Sequence, residues 1–209
     1  MLASAKLQRV LMVALAVLVA AIVVVLSTGQ GGSGATTATA GTEFQGPTMP
    51  PGLRAHDFTL RDQAGHPVSL AADRGHVVIL TFIHSLCHDA CPLMAEAIKG
   101  ALNLLPDNGA GVPAIGVSAH PSEDTVARRR AFLARHEMTG RLSFVNGPEA
   151  VMRPIFGAYA IQPVTAKIDH STFVFLIDKR GVERVGFAAD ELTSEALAHD
   201  IRALQREPA

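Results

Sequence analysis

Two cysteines and a histidine between them form the part of this sequence with the most reactive side chains. Cys87 and Cys91 are the only cysteines among 209 residues, and His88 lies between them in the stretch SLCHDACPL. Two thiols at this spacing can form a disulfide, exchange disulfides with another protein, or hold a soft metal ion as thiolates. A disulfide here would close a very small loop and contribute only ~2 kcal/mol. A purely structural bridge is therefore poorly motivated.

A metal site needs a donor beyond the two sulfurs. Thiolate pairs select Cu(I) or Zn(II), and structural zinc needs four protein ligands, but no further Cys or Cys/His pair follows at zinc-finger spacing. Two thiolates and one imidazole suit trigonal copper. His170 is the natural third ligand, because it leads into a strand that we expect beside the strand preceding the cysteines. His88 and Asp169 are candidates for an accessory role.

A redox interpretation uses the same sulfurs and does not require His170. Thioredoxin-type enzymes separate their cysteines by two residues, whereas three residues separate Cys87 from Cys91. Such enzymes also place a cis-proline opposite the disulfide, and the corresponding segment here, Asp169-His170-Ser171, has no proline. A third interpretation is a binding domain with a structural disulfide, which requires neither reactivity nor metal. The residues alone leave these alternatives open.

The apolar pattern predicts the elements that must position the cysteines. VVILTFI (77–83) is a β-branched apolar run that is typical of a central strand covered on both faces. Apolar residues then recur at helical spacing from Met94 to Leu105. Since Pro92 fits only the first turn of a helix, a helix is predicted to begin close to Cys91. Helix N–H groups at such a position stabilise thiolates and lower their pKa.

The remaining segments alternate between strand and helix patterns. In chain order we expect a hairpin at 58–70, a buried strand at 112–119, a helix opening at Pro121 and Ser122, a strand at 142–145, a short helix from Pro148, a hairpin of 172–178 and 182–188, and a last helix from Thr193. This order predicts an α/β class with a central mixed sheet flanked by helices, in which the cysteines occupy the thioredoxin position.

The other histidines and the basic residues have ordinary explanations. Five histidines fall in loops, at element ends or on helix surfaces, where exposure is expected: His56, His66, His76, His136 and His199. His84 and His120 end neighbouring strands, and for both we expect a packed or hydrogen-bonded role rather than a place in the site. The run Arg128–Arg130 indicates a solvated helix face, and with a net charge of −1 nothing indicates a nucleic-acid surface.

The N-terminus indicates the compartment. Basic residues precede an uncharged apolar run, Val10 to Leu26, whose length as a helix is about 25 Å, enough for a thin bilayer core. We expect residues 1–27 to be an uncleaved anchor rather than a cleaved signal sequence. It would span a bacterial cytoplasmic membrane once, with the rest of the chain on the extracytoplasmic side. Residues 28–52, rich in Gly, Ser, Thr and Ala, would form a flexible linker, and residues 53–209 one thioredoxin-like domain.

From about Leu53 onward, the chain resembles the Sco/SenC family of thioredoxin-fold copper proteins involved in assembling cytochrome c oxidase. The resemblance depends on the C-x-x-x-C-P run from Cys87 to Pro92 and on Asp169-His170-Ser171 before FVFLID. HPSEDT (120–125) is similar to the D-P-x-x-D-T segment of the family. Three positions depart from the family pattern, with His88 for the usual proline, His120 for aspartate and His84 for an aromatic residue, which suggests a divergent branch.

The resemblance implies a function. Copper, as Cu(I) or Cu(II), would be bound by Cys87, Cys91 and His170. The chain would be a membrane-tethered chaperone, not an enzyme, that delivers copper to the binuclear centre of cytochrome c oxidase subunit II or to another extracytoplasmic copper protein. The alternative is an extracytoplasmic thiol–disulfide oxidoreductase that reduces the cysteines of a client copper site.

Overall fold

The computed structural model describes residues 44–161 and 173–209. The predicted anchor (1–27) and most of the predicted linker lie outside the described residues. Within the two described ranges, no helix is both long enough and apolar enough to cross a bilayer.

Strands and helices alternate in the described part much as the apolar pattern predicts. The strands are β1 (Thr59–Arg61), β2 (Pro67–Ser69), β3 (Val78–Ile83), β4 (Ala114–Ser118), β5 (Ser143–Val145), β6 (Phe173–Ile177) and β7 (Glu183–Ala188). The α-helices are α1 (Ala90–Leu104), α2 (Val126–Arg135), α3 (Glu149–Ala158) and α4 (Ser194–Arg206). Both predicted hairpins are confirmed, as β1–β2 and β6–β7.

A mixed sheet organises the domain, as predicted. Its five strands in the described part follow the order β5-β4-β3-β6-β7. The pairs β3–β4 and β4–β5 are parallel, whereas β3–β6 and β6–β7 are antiparallel. β3 is therefore the central strand, and all six of its residues are buried. Because β3 and β4 are parallel, their C-terminal ends lie at the same edge of the sheet. The loop that carries Cys87 begins at this edge, after β3.

The sheet carries a hydrophobic core on each face. Because successive strand residues point to opposite faces, Ile79 and Ile83 pack with α1, α2 and α4, whereas Leu80 and Phe82 pack with β1 and α3. Thr81, in the middle of β3, is fully buried and donates its hydroxyl to the carbonyl oxygen of Phe173 at 2.9 Å. The cysteine strand is thus fixed by packing on both sides.

The prediction of a helix opening at Pro121 and Ser122 is wrong. The backbone of 120–125 instead forms turns, in which the N–H groups of Glu123 and Asp124 both donate to the carbonyl oxygen of His120 at 3.0 Å. Helix α2 begins at Val126 and is capped by Thr125, whose hydroxyl accepts from the backbone N–H of Arg128 at 3.3 Å. The turns keep Glu123 and Asp124 out of the helix. Both side chains can therefore reach the loop that follows β3.

The prediction that the arginine run is a solvated face is wrong for its middle residue. Arg129 is only 5% exposed. Its guanidinium donates to the carbonyl oxygen of Phe144 in β5 and to that of Arg61 in β1, the latter at 3.3 Å. Arg129 therefore joins α2 to two strands by hydrogen bonds to backbone.

The last residues of the predicted linker pack on the domain. The Met49 N–H donates to the carbonyl oxygen of Arg184 in β7 at 2.9 Å. The N–H groups of Gln45 and Gly46 donate to the buried carboxylate of Asp200 in α4 at 2.8 and 3.0 Å. The packed domain therefore includes residues 44–52.

Candidate metal centre

The two cysteines, together called the thiol pair, lie on the loop between β3 and α1. Cys91 is in the first turn of α1, as predicted, and is fully buried, whereas Cys87 is half-buried on the loop. The Cys91 backbone N–H donates to the Cys87 sulfur at 3.5 Å, and the Cys87 N–H donates to the His84 carbonyl oxygen at 3.0 Å. A helix N-terminus that directs an N–H group at sulfur favours the thiolate. Cys87 is therefore the sulfur placed to carry negative charge.

The thiol of Cys91 is in the opposite electrostatic situation. Its hydrogen bond with Cys87 and its burial both raise its pKa, and the charges of Cys87 and the Asp124 carboxylate raise it further, against a backbone hydrogen bond with His84 that lowers it. Charge on one sulfur thus opposes charge on the other, as expected of two acids in one site. A cation bound between the sulfurs would remove that opposition, since it would stabilise both thiolates.

A buried carboxylate connects the cysteine loop to the end of β4. Asp124 is fully buried. It accepts from the backbone N–H of Ser85 at 2.8 Å and from the hydroxyls of Ser85 and Ser118 at 2.5 Å each. The Asn146 side chain holds the backbone of the same turn through the carbonyl oxygens of Pro121 and Asp124. The sequence contains Asp124 within HPSEDT, but without coordinates it gives no reason to expect this role.

Two histidines and a glutamate, together called the histidine cluster, lie beside Asp124. The His84 and His120 rings stack with centroids 5.2 Å apart. The Glu123 carboxylate lies 2.9 Å from His84 Nε2 and 4.0 Å from His120 Nδ1. Both histidines are thus packed against each other, and His84 is hydrogen-bonded to Glu123, as predicted. Glu123 is a site residue that the sequence does not single out.

Of the other predicted metal donors, only His88 lies within the described residues. His170 and Asp169 lie outside the described residues, so their place in the site stays a prediction. β6 pairs antiparallel with β3, with Val174 opposite Thr81, which confirms that the strand after His170 neighbours the cysteine strand. His88 is exposed on the loop.

A family model describing SCO1/SenC proteins matches residues 48–206. A curated SCO2-like protein of Rickettsia prowazekii is 23% identical over 133 residues, which are 59% of this chain and 64% of the relative. The match thus spans less than two thirds of that relative's length.

Solved structures show the same fold. One, titled as Bradyrhizobium japonicum ScoI with copper bound, is 25% identical with a TM-score of 0.63, and the match covers 72% of this chain and 99% of that one. Another is BsSco, described as a member of the Sco family of cytochrome c oxidase assembly proteins with a disulfide switch. It is 20% identical with a TM-score of 0.65, over 74% of this chain and 95% of that one. The predicted thioredoxin-like arrangement is therefore confirmed.

Proposed function

This chain belongs to the SCO1/SenC family, and we propose that it is a membrane-tethered copper chaperone that binds copper through Cys87, Cys91 and His170. The observation that carries the proposal is the placement of the thiol pair at the first turn of α1, where the N–H of the buried Cys91 donates to the sulfur of the half-buried Cys87. The copper bound in the Bradyrhizobium relative supports the choice of metal.

The chemistry of the thiol pair suits a cargo that must be both held and released. Soft thiolates prefer Cu(I), and copper would displace the proton that Cys91 retains. The half-exposed Cys87 is the sulfur that a client ligand can approach. Two exposed apolar side chains flank the pair, Leu86 at 39% and Leu93 at 59% exposure, and they give a client protein an apolar rim to contact. The client would be a copper centre of cytochrome c oxidase or another extracytoplasmic copper protein.

A second candidate function is reduction of a disulfide in the client. The asymmetry of the thiol pair favours it, because the Cys87 thiolate is accessible for attack and Cys91 is positioned to resolve. Attack on a client disulfide would form a mixed disulfide and release one client thiol. Cys91 would then displace the second client thiol, which leaves a Cys87–Cys91 disulfide and a client reduced by two electrons. A further dithiol protein would have to reduce the chain again.

Replacement of His170 separates the two functions. The copper site would lose one of three ligands in His170→Ala, so Cu(I) affinity should fall at least ~100-fold, since loss of a group that only orients a ligand costs 10–100-fold. Disulfide exchange needs only the sulfurs and should continue. The measurement is competition for Cu(I) against a chromophoric chelator with the reduced full-length protein, alongside a disulfide-reductase assay. Cells carrying His170→Ala should also fail to assemble cytochrome c oxidase.

His88→Ala is the matched control for His170→Ala, because it removes a histidine that lies between the cysteines but is exposed. It should change the affinity much less. If His170→Ala binds Cu(I) as tightly as the wild type, His170 is not a ligand and the reductase function is favoured.

The tether is part of the same proposal. The apolar run Val10 to Leu26 motivates one span with the domain on the extracytoplasmic side of a bacterial membrane. A reporter enzyme fused after residue 52 should be active only outside the cytoplasm, and the full-length protein should stay with membranes after a carbonate wash. Release of the protein by the wash would show that residues 1–27 do not anchor it.

A further inference from the structure

We propose that the histidine cluster (His84, His120 and Glu123) is a second metal site, which binds a divalent cation of the copper–zinc type independently of the thiol pair. The candidate ligand atoms of these three side chains, one per residue, all lie within 4.8 Å of one another. Two imidazoles and a carboxylate are a donor set that zinc and copper proteins use. The proposal does not depend on copper at Cys87 and Cys91.

The fold itself brings the two imidazoles together. The Ala119 N–H donates to the Ile83 carbonyl oxygen at 2.8 Å, which extends the β3–β4 ladder one residue beyond the end of β4. His84 and His120 are the residues directly after this pair, so they leave neighbouring parallel strands side by side. Their rings stack at a 27° interplanar angle. Their approach therefore depends on the register of the sheet rather than on mobile loops.

The carboxylate is supplied by the turn that follows β4. Because the Glu123 N–H donates to the His120 carbonyl oxygen, the turn directs the Glu123 side chain back towards both rings. Glu123 Oε2 lies 2.9 Å from His84 Nε2 and 4.0 Å from His120 Nδ1. Ligand atoms around a tetrahedral metal with ~2.1 Å bonds lie about 3.4 Å apart. Small side-chain rotations would therefore convert the present contacts into coordination.

Burial and access also fit a metal site. The His84 side chain is 12% exposed, that of His120 26% and that of Glu123 44%, so the cluster is shielded on the sheet side and open on the turn side. A groove of about 470 Å³, lined in part by His120 and Ser122, opens beside it. The Ser122 hydroxyl lies 3.2 Å from His120 Nδ1, and a cation bound at that nitrogen would replace this contact. A cation can therefore reach the cluster from solvent.

The donor set determines which cation is bound. Two imidazoles are poor ligands for Mg²⁺ and Ca²⁺, which prefer oxygen, and the absence of thiolate makes the cluster a weaker site for Cu(I). Among first-row divalent ions, affinity for a given nitrogen and oxygen site peaks at Cu(II). We therefore expect Cu(II) to bind more tightly than Zn(II).

The test uses the full-length chain with both sulfurs removed. The Cys87→Ser/Cys91→Ser protein should bind one equivalent of Cu(II), with an electron paramagnetic resonance spectrum that shows nitrogen ligands, and Zn(II) should compete for the site. In this background His120→Ala should weaken Cu(II) binding at least ~100-fold, more than the 10–100-fold loss typical of a group that only orients a ligand. Glu123→Gln, which keeps the shape of the side chain, should weaken it about 10-fold or more. Circular dichroism would establish that each variant is folded.

Two further variants in the same background make the result decisive. His66→Ala removes another histidine next to a carboxylate, with His66 Nδ1 3.4 Å from Asp62, but within residues 44–161 and 173–209 no second imidazole joins that pair. It should leave Cu(II) binding unchanged. His170→Ala should also leave it unchanged. If Cu(II) binding survives His120→Ala and Glu123→Gln, or disappears only with His66→Ala or His170→Ala, the histidine cluster is not a metal site.

Discussion

The thiol pair and the histidine cluster meet at the loop after β3, which carries both Cys87 and His84, but they are built by different parts of the fold. Cys87 and Cys91 depend on the N-terminus of α1, whose first turn directs an N–H group at sulfur. His84 and His120 depend on the ends of two parallel strands, whose register brings the rings into contact. A helix terminus favours charged thiolates, whereas the strand ends hold imidazoles beside a carboxylate. Adjacent positions therefore acquire different preferences for metal ions.

One residue connects the two groups. The Asp124 carboxylate accepts from Ser85, which follows His84, and from Ser118, which precedes Ala119 and His120. It also contributes to the raised pKa of the Cys91 thiol. A change at Asp124 should therefore affect both groups, whereas a change within either group should leave the other intact.

The largest expected effect is a loss of Cu(I) affinity that leaves Cu(II) binding at the histidine cluster unchanged. In Cys87→Ser/Cys91→Ser, the reduced protein should lose Cu(I) affinity by at least ~10⁴-fold, because two thiolate ligands are absent and each ligand is worth at least ~100-fold. Cu(II) binding at the histidine cluster should remain. Chelator competition for Cu(I), with Cu(II) resonance on the same sample, measures both. Loss of both metals at once would show that the two groups form a single site.

The next effect should disturb both groups through the fold. Asp124→Ala leaves three buried donors of Ser85 and Ser118 without their acceptor, and the free energy of unfolding should fall by about 3 kcal/mol. Chemical denaturation measures this loss. Asp89→Ala is the control, because Asp89 is exposed on the loop between β3 and α1 and makes no capping hydrogen bond to α1. Equal stability of the two variants would contradict the connecting role of Asp124.

A smaller effect concerns the pH dependence of the free energy of unfolding, which a residue outside both groups should change without changing metal binding. Burial raises the pKa of Glu183 from its ordinary 4.5 to about 7. The folded chain therefore holds this proton more tightly than the unfolded chain. The resulting stabilisation is full below pH 4.5 and is lost as the pH rises through about 7.

Glu183→Gln should therefore be more stable than the wild type at pH 8 by about 2–3 kcal/mol, and nearly equal to it at pH 4. Denaturation at both pH values measures the difference. Cu(I) affinity at pH 8 should not change, since Glu183 belongs to neither group. A Glu183→Gln protein with the same pH profile of stability as the wild type would refute the assignment.

Much of the frame around the thiol pair could be predicted from the sequence. The apolar run 77–83 and the helical spacing after Pro92 are local patterns, and they place the cysteines between β3 and α1 correctly. The helix predicted from Pro121 fails for a non-local reason. The Asp124 side chain bonds to Ser85, 39 positions earlier in the chain, and the turn that permits this bond delays α2 until Val126.

Two buried basic side chains in the described part of the chain could not be predicted for a similar reason. Arg129 bonds to backbone carbonyls of β1 and β5, which no local pattern indicates. The sequence predicts His136 on the surface, but the residue is only 9% exposed. Its ring centroid lies 4.6 Å from that of Phe132, and its Nδ1 lies 3.4 Å from the Glu96 carboxylate. Local pattern identifies which residues can do chemistry, whereas partners distant in sequence decide which of them are brought together.

The most direct test of the central claim is a Cu(I) titration of the full-length protein, carried out without oxygen on matched reduced and oxidised samples. Ligation requires two thiolates, and a Cys87–Cys91 disulfide would remove both. The reduced protein should take up one Cu(I) per chain tightly, and the oxidised protein should take up none with comparable affinity. Equal uptake by the two samples would contradict the assignment of the thiol pair as copper ligands.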